Sequence, residues 1–198
     1  MEAIMFSTPE ALPVPKNAGS QRHPHGGSLV TSTGGLILLH AVPAHLTSHV
    51  RWSLENILGT TVQLRWEPQP HVVAHQRTEL SWNGPAGTAA QLASALRPYT
   101  GSFYEVTERP TQTTSGLRIM HVPDLGICSV PVDAHGNFTV TEDRIRYALE
   151  QAAGDFNTLY DHLALALGQP WDDQLEPLRP GALLHPATRN IDADQGGM

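Results

Sequence analysis

The segment Leu36-Ile37-Leu38-Leu39-His40-Ala41-Val42 constrains the fold of this chain more than any other. It follows Gly34-Gly35 and is apolar on both alternating faces, with Leu36 and Leu38 on one side and Ile37 and Leu39 on the other. Such a run reads as a central strand covered on both faces. The residues after it supply covering layers. Leu46, Val50, Leu54, Ile57 and Leu58 share one face of a helix over 44–58, which Gly59 ends. Val62 to Trp66 alternates as a second strand, and Arg77 to Trp82 forms a third after a polar, proline-containing connection. Asn83-Gly84 is a turn signal. A second helix follows over 87–97, with Ala89, Leu92, Ala93 and Leu96 inward and Pro98 just beyond, and Phe103 to Thr107 is a fourth strand.

The order strand, helix, strand, strand, helix, strand is the split βαβ arrangement. The expected fold is therefore α+β, a ferredoxin-like (βαββαβ) antiparallel sheet with both helices on one face. Added strands are expected at Leu117 to Val122 and Gly126 to Val132, a hairpin through Pro123-Asp124. One long C-terminal helix is expected next. Ile145, Leu149, Ala152, Phe156, Leu159, Leu163 and Leu167 keep one phase through Gly154. Thr141 is placed to cap its start, Glu142 and Asp143 suit its positive end, and Gly168 and Pro170 end it. This helix, or a second sheet, is expected over the face that the first two helices leave open. The expected core joins Leu36, Leu38, Leu92, Leu96, Ile145, Leu149, Phe156 and Leu163.

The ends differ from this middle. Residues 1–33 are rich in Pro, Gly, Ser, Thr and His without periodicity, and 179–198 resemble them, so both are expected to be flexible. The core domain is expected over 34–178. Ile4, Met5, Phe6 and Leu12 stand out in the first segment as an apolar group able to dock as a short linear motif.

Composition removes several function classes. The net charge of −7, with one lysine (Lys16) against eleven arginines, argues against a nucleic-acid partner, which needs clustered cations. The single cysteine, Cys128, has no disulfide partner and no thiolate companions for a metal, which points to a reducing, cytoplasmic setting. No run of about eighteen apolar residues is present to span a membrane, and the amino end has no basic segment followed by an apolar core. No GxSxG, GxxxxGK[ST] or GxGxxG pattern occurs, so catalysis is not expected and no cofactor is implied.

Three groups of residues invite a functional reading. His45 and His49 lie one helical turn apart, with His40 as the nearest third ligand, but the chain lacks the HExxH arrangement. Trp52 falls opposite the apolar stripe of the first helix, beside His45, His49 and Asn56 and next to Arg51. A tryptophan there is covered either by this chain or by a partner, and in the second case it is an interface anchor. Trp171-Asp172-Asp173 with Glu176 is an acidic cluster suited to acid-base work or a cation. It also fits a helix start pinned by Trp171, Leu175 and Leu178. Trp52, His45, His49, Arg51, Trp171 and Asp173 are the candidate protein-binding residues. Cys128, between Ile127 and Val130, reads as core.

A family resemblance rests on Gly87-Thr88-Ala89-Ala90, Leu92 to Leu96, Phe103, Glu105, Val106 and Thr107, Leu125-Gly126-Ile127, Glu142-Asp143-Arg144, and Trp171-Asp172-Asp173 with Leu175-Glu176-Pro177. His49-Val50 with Trp52 belongs to the same set. Over residues 34–178 the chain resembles the actinobacterial domain-of-unknown-function family 3145. The resemblance implies a cytoplasmic protein without catalytic residues. It also implies, on the strength of the family alone, a link to the regulation of biotin-dependent acyl-CoA carboxylases. A non-enzymatic regulator that binds a larger enzyme, such as a carboxylase subunit, is thus the leading expectation. A metabolite sensor on the same scaffold, or an enzyme or metal site built on His40, His45 and His49, are the rivals.

Overall fold

Thirteen elements follow one another in the computed structural model, which describes residues 31–180. They are β1 (Ser32–Pro43), a 3-10 turn (Ala44–Leu46), α1 (Thr47–Leu58), β2 (Glu67–Pro68), β3 (His75–Pro85), α2 (Thr88–Leu96), β4 (Phe103–Glu108), β5 (Gly116–Val122), β6 (Gly126–Val132), α3 (Glu142–Ala152), α4 (Phe156–Leu167), α5 (Gln169–Leu175) and a last 3-10 turn (Glu176–Leu178). The six strands form one antiparallel sheet in the order β2-β3-β1-β4-β5-β6. The first four strands thus have the spatial order that a split βαβ connection requires, and β5 and β6 extend the sheet beyond β4. The fold is mixed α+β, as the alternation of periods implies.

Both early helices pack on one face. Val50 and Leu54 of α1 and Ala89, Leu92, Ala93 and Leu96 of α2 close over Ile37, Leu39, Trp82, Tyr104, Val106 and Ile119. Tyr104 Oη, deep in this layer, is satisfied by donating to Ala93 O at 2.9 Å, whereas the buried Trp82 Nε1 finds no hydrogen-bond partner among the described residues. Gly35 is required where β1 crosses β4, because a Cβ there would lie 1.8 Å from Thr107 O. The start of α2 is tied to the sheet. Gly87, in the left-handed conformation, donates its N–H to Glu108 Oε1 at 2.8 Å, and Ala89 N–H donates to Glu108 Oε2 at 2.9 Å. A carboxylate on the exposed N–H groups of a helix start satisfies both hydrogen bonding and dipole.

The opposite face is covered in part. Leu175 of α5 packs on Met120, Val122 and Val130, with Phe103, Cys128 and Trp171 around them. Over β1 and β3 the partly buried Leu38 lines a cleft bounded by Gln63, Arg65, Glu67, Leu178 and Pro180.

Several expectations are corrected. β1 begins at Ser32, two residues before the expected domain start at Gly34; residues 1–30 and 181–198 lie outside the described residues. Val62 to Trp66 is not a strand. Val62 is buried and Leu64 and Trp66 pack on the core, but no ladder forms until Glu67 pairs with Arg77. Alternation there reports an extended segment with one wet side, which does not need a hydrogen-bonded neighbour. Asn83-Gly84 continues β3 opposite Gly34 and Thr33, and the chain turns after Pro85 instead.

The single long helix is two. Ala153 and Gly154 both take positive φ, 46° and 94°, which ends α3 and lets Asp155 cap α4 by accepting from Thr158 N–H at 2.7 Å. Thr141 occupies the cap position of α3, but its hydroxyl makes no capping bond. Apart from Ala152, no residue of the stripe that keeps phase across the break is fully buried. Ile145, Leu149 and Phe156 are 40, 55 and 74 % exposed, while the small Ala148, Ala152 and Ala166 are the buried residues of this hairpin. Leu36, Leu38 and Leu163 are partly buried, and Leu92 and Leu96 are fully buried as expected.

Candidate functional site

α1 turns two faces to two environments. Val50, Ser53 and Leu54 point inward, and the Ser53 hydroxyl lies 2.6 Å from Tyr99 Oη, which also reaches His49 O at 3.0 Å. These contacts fix the rotation of the helix, so Trp52 faces outward and is 63 % exposed. His45, His49 and Arg51 are exposed on the same helix and the turn before it. No described part of the chain covers the indole.

His40 does not join His45 and His49. It lies on the sheet face away from α1, where its Nε2 is 2.9 Å from Glu105 Oε1. Among the described residues no group of three or more His, Cys, Asp or Glu side chains is placed to hold a metal ion.

Glu105 is the centre of a buried charge network that periodicity does not reveal. It is 3 % exposed. Besides His40, its Oε2 accepts from Arg118 Nε and Nη2 at 2.8 and 2.6 Å, and its Oε1 accepts from Arg179 Nη2 at 2.9 Å. Both arginines reach on to Asp172, at 2.7 to 2.9 Å for Arg118 and 2.6 Å for Arg179. Arg179 also pairs with Glu176. Burial pushes the Glu105 carboxyl up, but the bonds from His40, Arg118 and Arg179 outweigh it and hold the group down to about 2. The same balance, burial against two arginines, lowers Asp172. Burial lowers both arginines, yet their carboxylate bonds leave them above the ordinary value.

The acidic cluster after α4 therefore has a structural use. Asp172 stands in the first turn of α5 and is neutralised by two arginines, while Asp173 is exposed. Trp171 is partly buried, its Nε1 donating to Gly126 O at 2.9 Å, so it pins α5 to the β5–β6 hairpin. Cys128 lies partly buried beneath it, its thiol pushed up by burial. Glu105 belonged to the sequence resemblance without a role, and Arg118 and Arg179 carried no local sign. Their pairing spans 13 to 74 positions along the chain.

Beside the network a cleft of about 500 Å³ opens over β1 and β3. Its lining includes His40, Arg65, Glu67, Arg77 and Glu79, with Arg77 3.4 Å from Glu67.

The family model described as "Protein of unknown function (DUF3145)" matches residues 36–188, more than three-quarters of the chain. The chain belongs to this family. The match spans the sheet from Leu36 of β1 onward, the Glu105 network and the Trp52 face, so these features fall within the family's own domain. No curated protein and no solved structure matches the chain. No helix among the described residues is long and apolar enough to cross a membrane.

Proposed function

We propose that this DUF3145 member is a non-enzymatic regulatory protein of an actinobacterial cytoplasm, acting by binding another polypeptide through the outer face of α1. The observation that supports this reading is Trp52, a large ring held outward on a packed helix between His45, His49 and Arg51. A rigid, exposed indole loses little conformational freedom on association and brings a large apolar area into contact. Tryptophan and arginine dominate binding hot spots. Trp171 and Asp173 form a secondary contact in this proposal, with Asp173 as the free carboxylate. The family resemblance makes a biotin-dependent acyl-CoA carboxylase the partner to test.

The test is titration of the full chain into purified carboxylase holoenzyme, with wild type compared to Trp52→Ala. The expected result is a complex weakened by about 2 kcal/mol or more in the variant, roughly thirtyfold in Kd, with an unchanged melting temperature. Equal affinities would refute the α1 face as the contact. A melting temperature lowered in the variant would place Trp52 among the packing residues.

The cleft over β1 and β3 favours a second reading, a metabolite sensor whose ligand carries charge of both signs to meet Arg65, Arg77, Glu67 and Glu79. A thermal-shift screen with zwitterionic metabolites separates it from the first. The reading that joined His40, His45 and His49 in one site is not carried forward, because His40 is on the other side of the sheet.

A further inference from the structure

β6 is an edge strand, and its outer edge is only partly used by the chain itself. Thr139 N–H donates to Pro131 O at 3.0 Å and Val132 bridges Phe138, so the chain folds back over one end of the edge. The Pro131 carbonyl must then point outward. Backbone groups along a strand point to alternate sides, so the N–H and C=O of Ser129 and Ile127 point outward as well. Among the described residues neither makes a backbone bond outside the sheet ladder. Open edges of this kind are usually blocked in soluble proteins.

The same stretch floors a groove of about 640 Å³. Its far side is formed by Tyr147 of α3, Leu165 and Ala166 of α4 and Trp171 of α5, with Cys128 in the floor. Tyr147 and Leu165 are large apolar groups left exposed there. An unpaired strand edge facing an apolar wall has the two elements of strand addition: main-chain pairing for affinity and pockets for alternate side chains.

We propose that this groove takes one extended peptide segment of another polypeptide, paired with β6 as a seventh strand. The wall of α3 and α4 lines the same groove as Ile127 to Ser129 of β6. Alternate residues of the segment are apolar, to meet Tyr147, Leu165 and Trp171. Its flanks are basic. Residues 142–167 carry five carboxylates (Glu142, Asp143, Glu150, Asp155, Asp161) against two arginines (Arg144, Arg146), a net of −3, within a chain of net −7. The proposal rests on the reading that the chain works by binding polypeptides, but it uses a surface distinct from the Trp52 face.

The test selects short random peptides displayed on phage against the full chain, then measures synthetic copies of the enriched sequences. Cys128 is the only cysteine and reports on the groove through its rate of modification by N-ethylmaleimide. The expected result is enrichment of sequences with alternating apolar residues and Lys or Arg at the ends, which slow the modification of Cys128. Ser129→Pro and Tyr147→Glu are each expected to weaken them about tenfold or more, and Trp52→Ala to leave them unaffected. The Ser129 N–H points outward, so proline there removes no ladder bond, and Pro131 already holds the same orientation. Tyr147→Glu alters the wall without touching the strand, and melting curves confirm both folds. Peptides with helical spacing, peptides that leave Cys128 equally reactive, equal binding to both groove variants, or no enrichment would overturn the proposal. So would a dimer in sedimentation that forms a Cys128–Cys128 disulfide on oxidation, since the occupant would then be a second copy. Loss of carboxylase binding in Trp52→Ala with these peptides still bound would separate the two surfaces, carboxylase binding kept with the peptides still bound would refute the α1 face and leave only the groove, and loss of the peptides in Trp52→Ala would overturn the groove as a separate site.

Discussion

On the side of the sheet that faces α1 and α2, Ile37, Leu39, Tyr104 and Val106 meet Val50, Leu54, Leu92 and Leu96. On the other side the neighbouring residues of the same strands present His40, Glu105 and Arg118 to Asp172 and Arg179. The first layer gains from area removed from water, which has no preferred direction. The second fixes α5 and the last turn by bonds with fixed donors and acceptors, in which each charge is tolerated only because the others are present. One face therefore tolerates changes of shape in small steps, and the other fails when one member is removed.

The sharpest way to break this contrast is Glu105→Ala. It leaves two arginines and His40 without their shared acceptor, and the expected loss is about 3–5 kcal/mol in denaturant unfolding. A loss below about 1 kcal/mol would mean that water replaces the carboxylate and that the network is only a surface feature. Leu96→Ala on the apolar face is expected to cost about 2–5 kcal/mol, depending on how far the layer collapses into the cavity. A variant that melts with the wild type would show that α2 does not support the sheet.

Acid sharpens the difference further. Glu105 is held at about 2 against an ordinary 4.5, so its stabilisation is complete above 4.5 and is lost as pH falls towards 2. Asp172 shifts in the same direction. The expected loss across that window is on the order of 3 kcal/mol. Melting temperatures of Leu96→Ala should follow the wild-type pH profile at a constant offset, whereas those of Glu105→Ala should flatten between pH 4.5 and 2. The smallest effect is expected outside both layers. Phe156→Ala, at a side chain 74 % exposed, should change stability by no more than about 0.5 kcal/mol in the same unfolding measurement.

The apolar face was legible in the sequence because periodicity is a record of one-sided burial. Leu92 and Leu96 repeat at the helical step, and the outward placement of Trp52 follows from the same count. The misses have a common cause. At Val62 to Trp66 the pattern recorded which side is dry and not whether a neighbour pairs. In α3 and α4 most of the large side chains are exposed and three alanines are buried, because close approach of two helices favours small residues at the contact. The charge network lay beyond any local pattern, since β4, β5, α5 and the residue after the last turn each supply a single charged group. Cys128, which reads as core, is partly buried in the α5 layer, and Trp171, a candidate protein-binding residue that also fits a pin for a helix start, is partly buried beside it.

The carboxylate of Glu108 joins two parts of the chain that would otherwise form independently. A helix as short as α2 is marginal on its own in water, and its first free N–H groups are completed by a residue at the far end of β4. β4 in turn is held by β1 and β5. The two elements therefore share one fate in time. α2 cannot finish its first turn until the centre of the sheet has assembled, and once assembled it cannot fray from that end while the sheet persists. What looks like a local cap is a coupling between early and late events in folding, and it makes the helix and the strand a single cooperative unit.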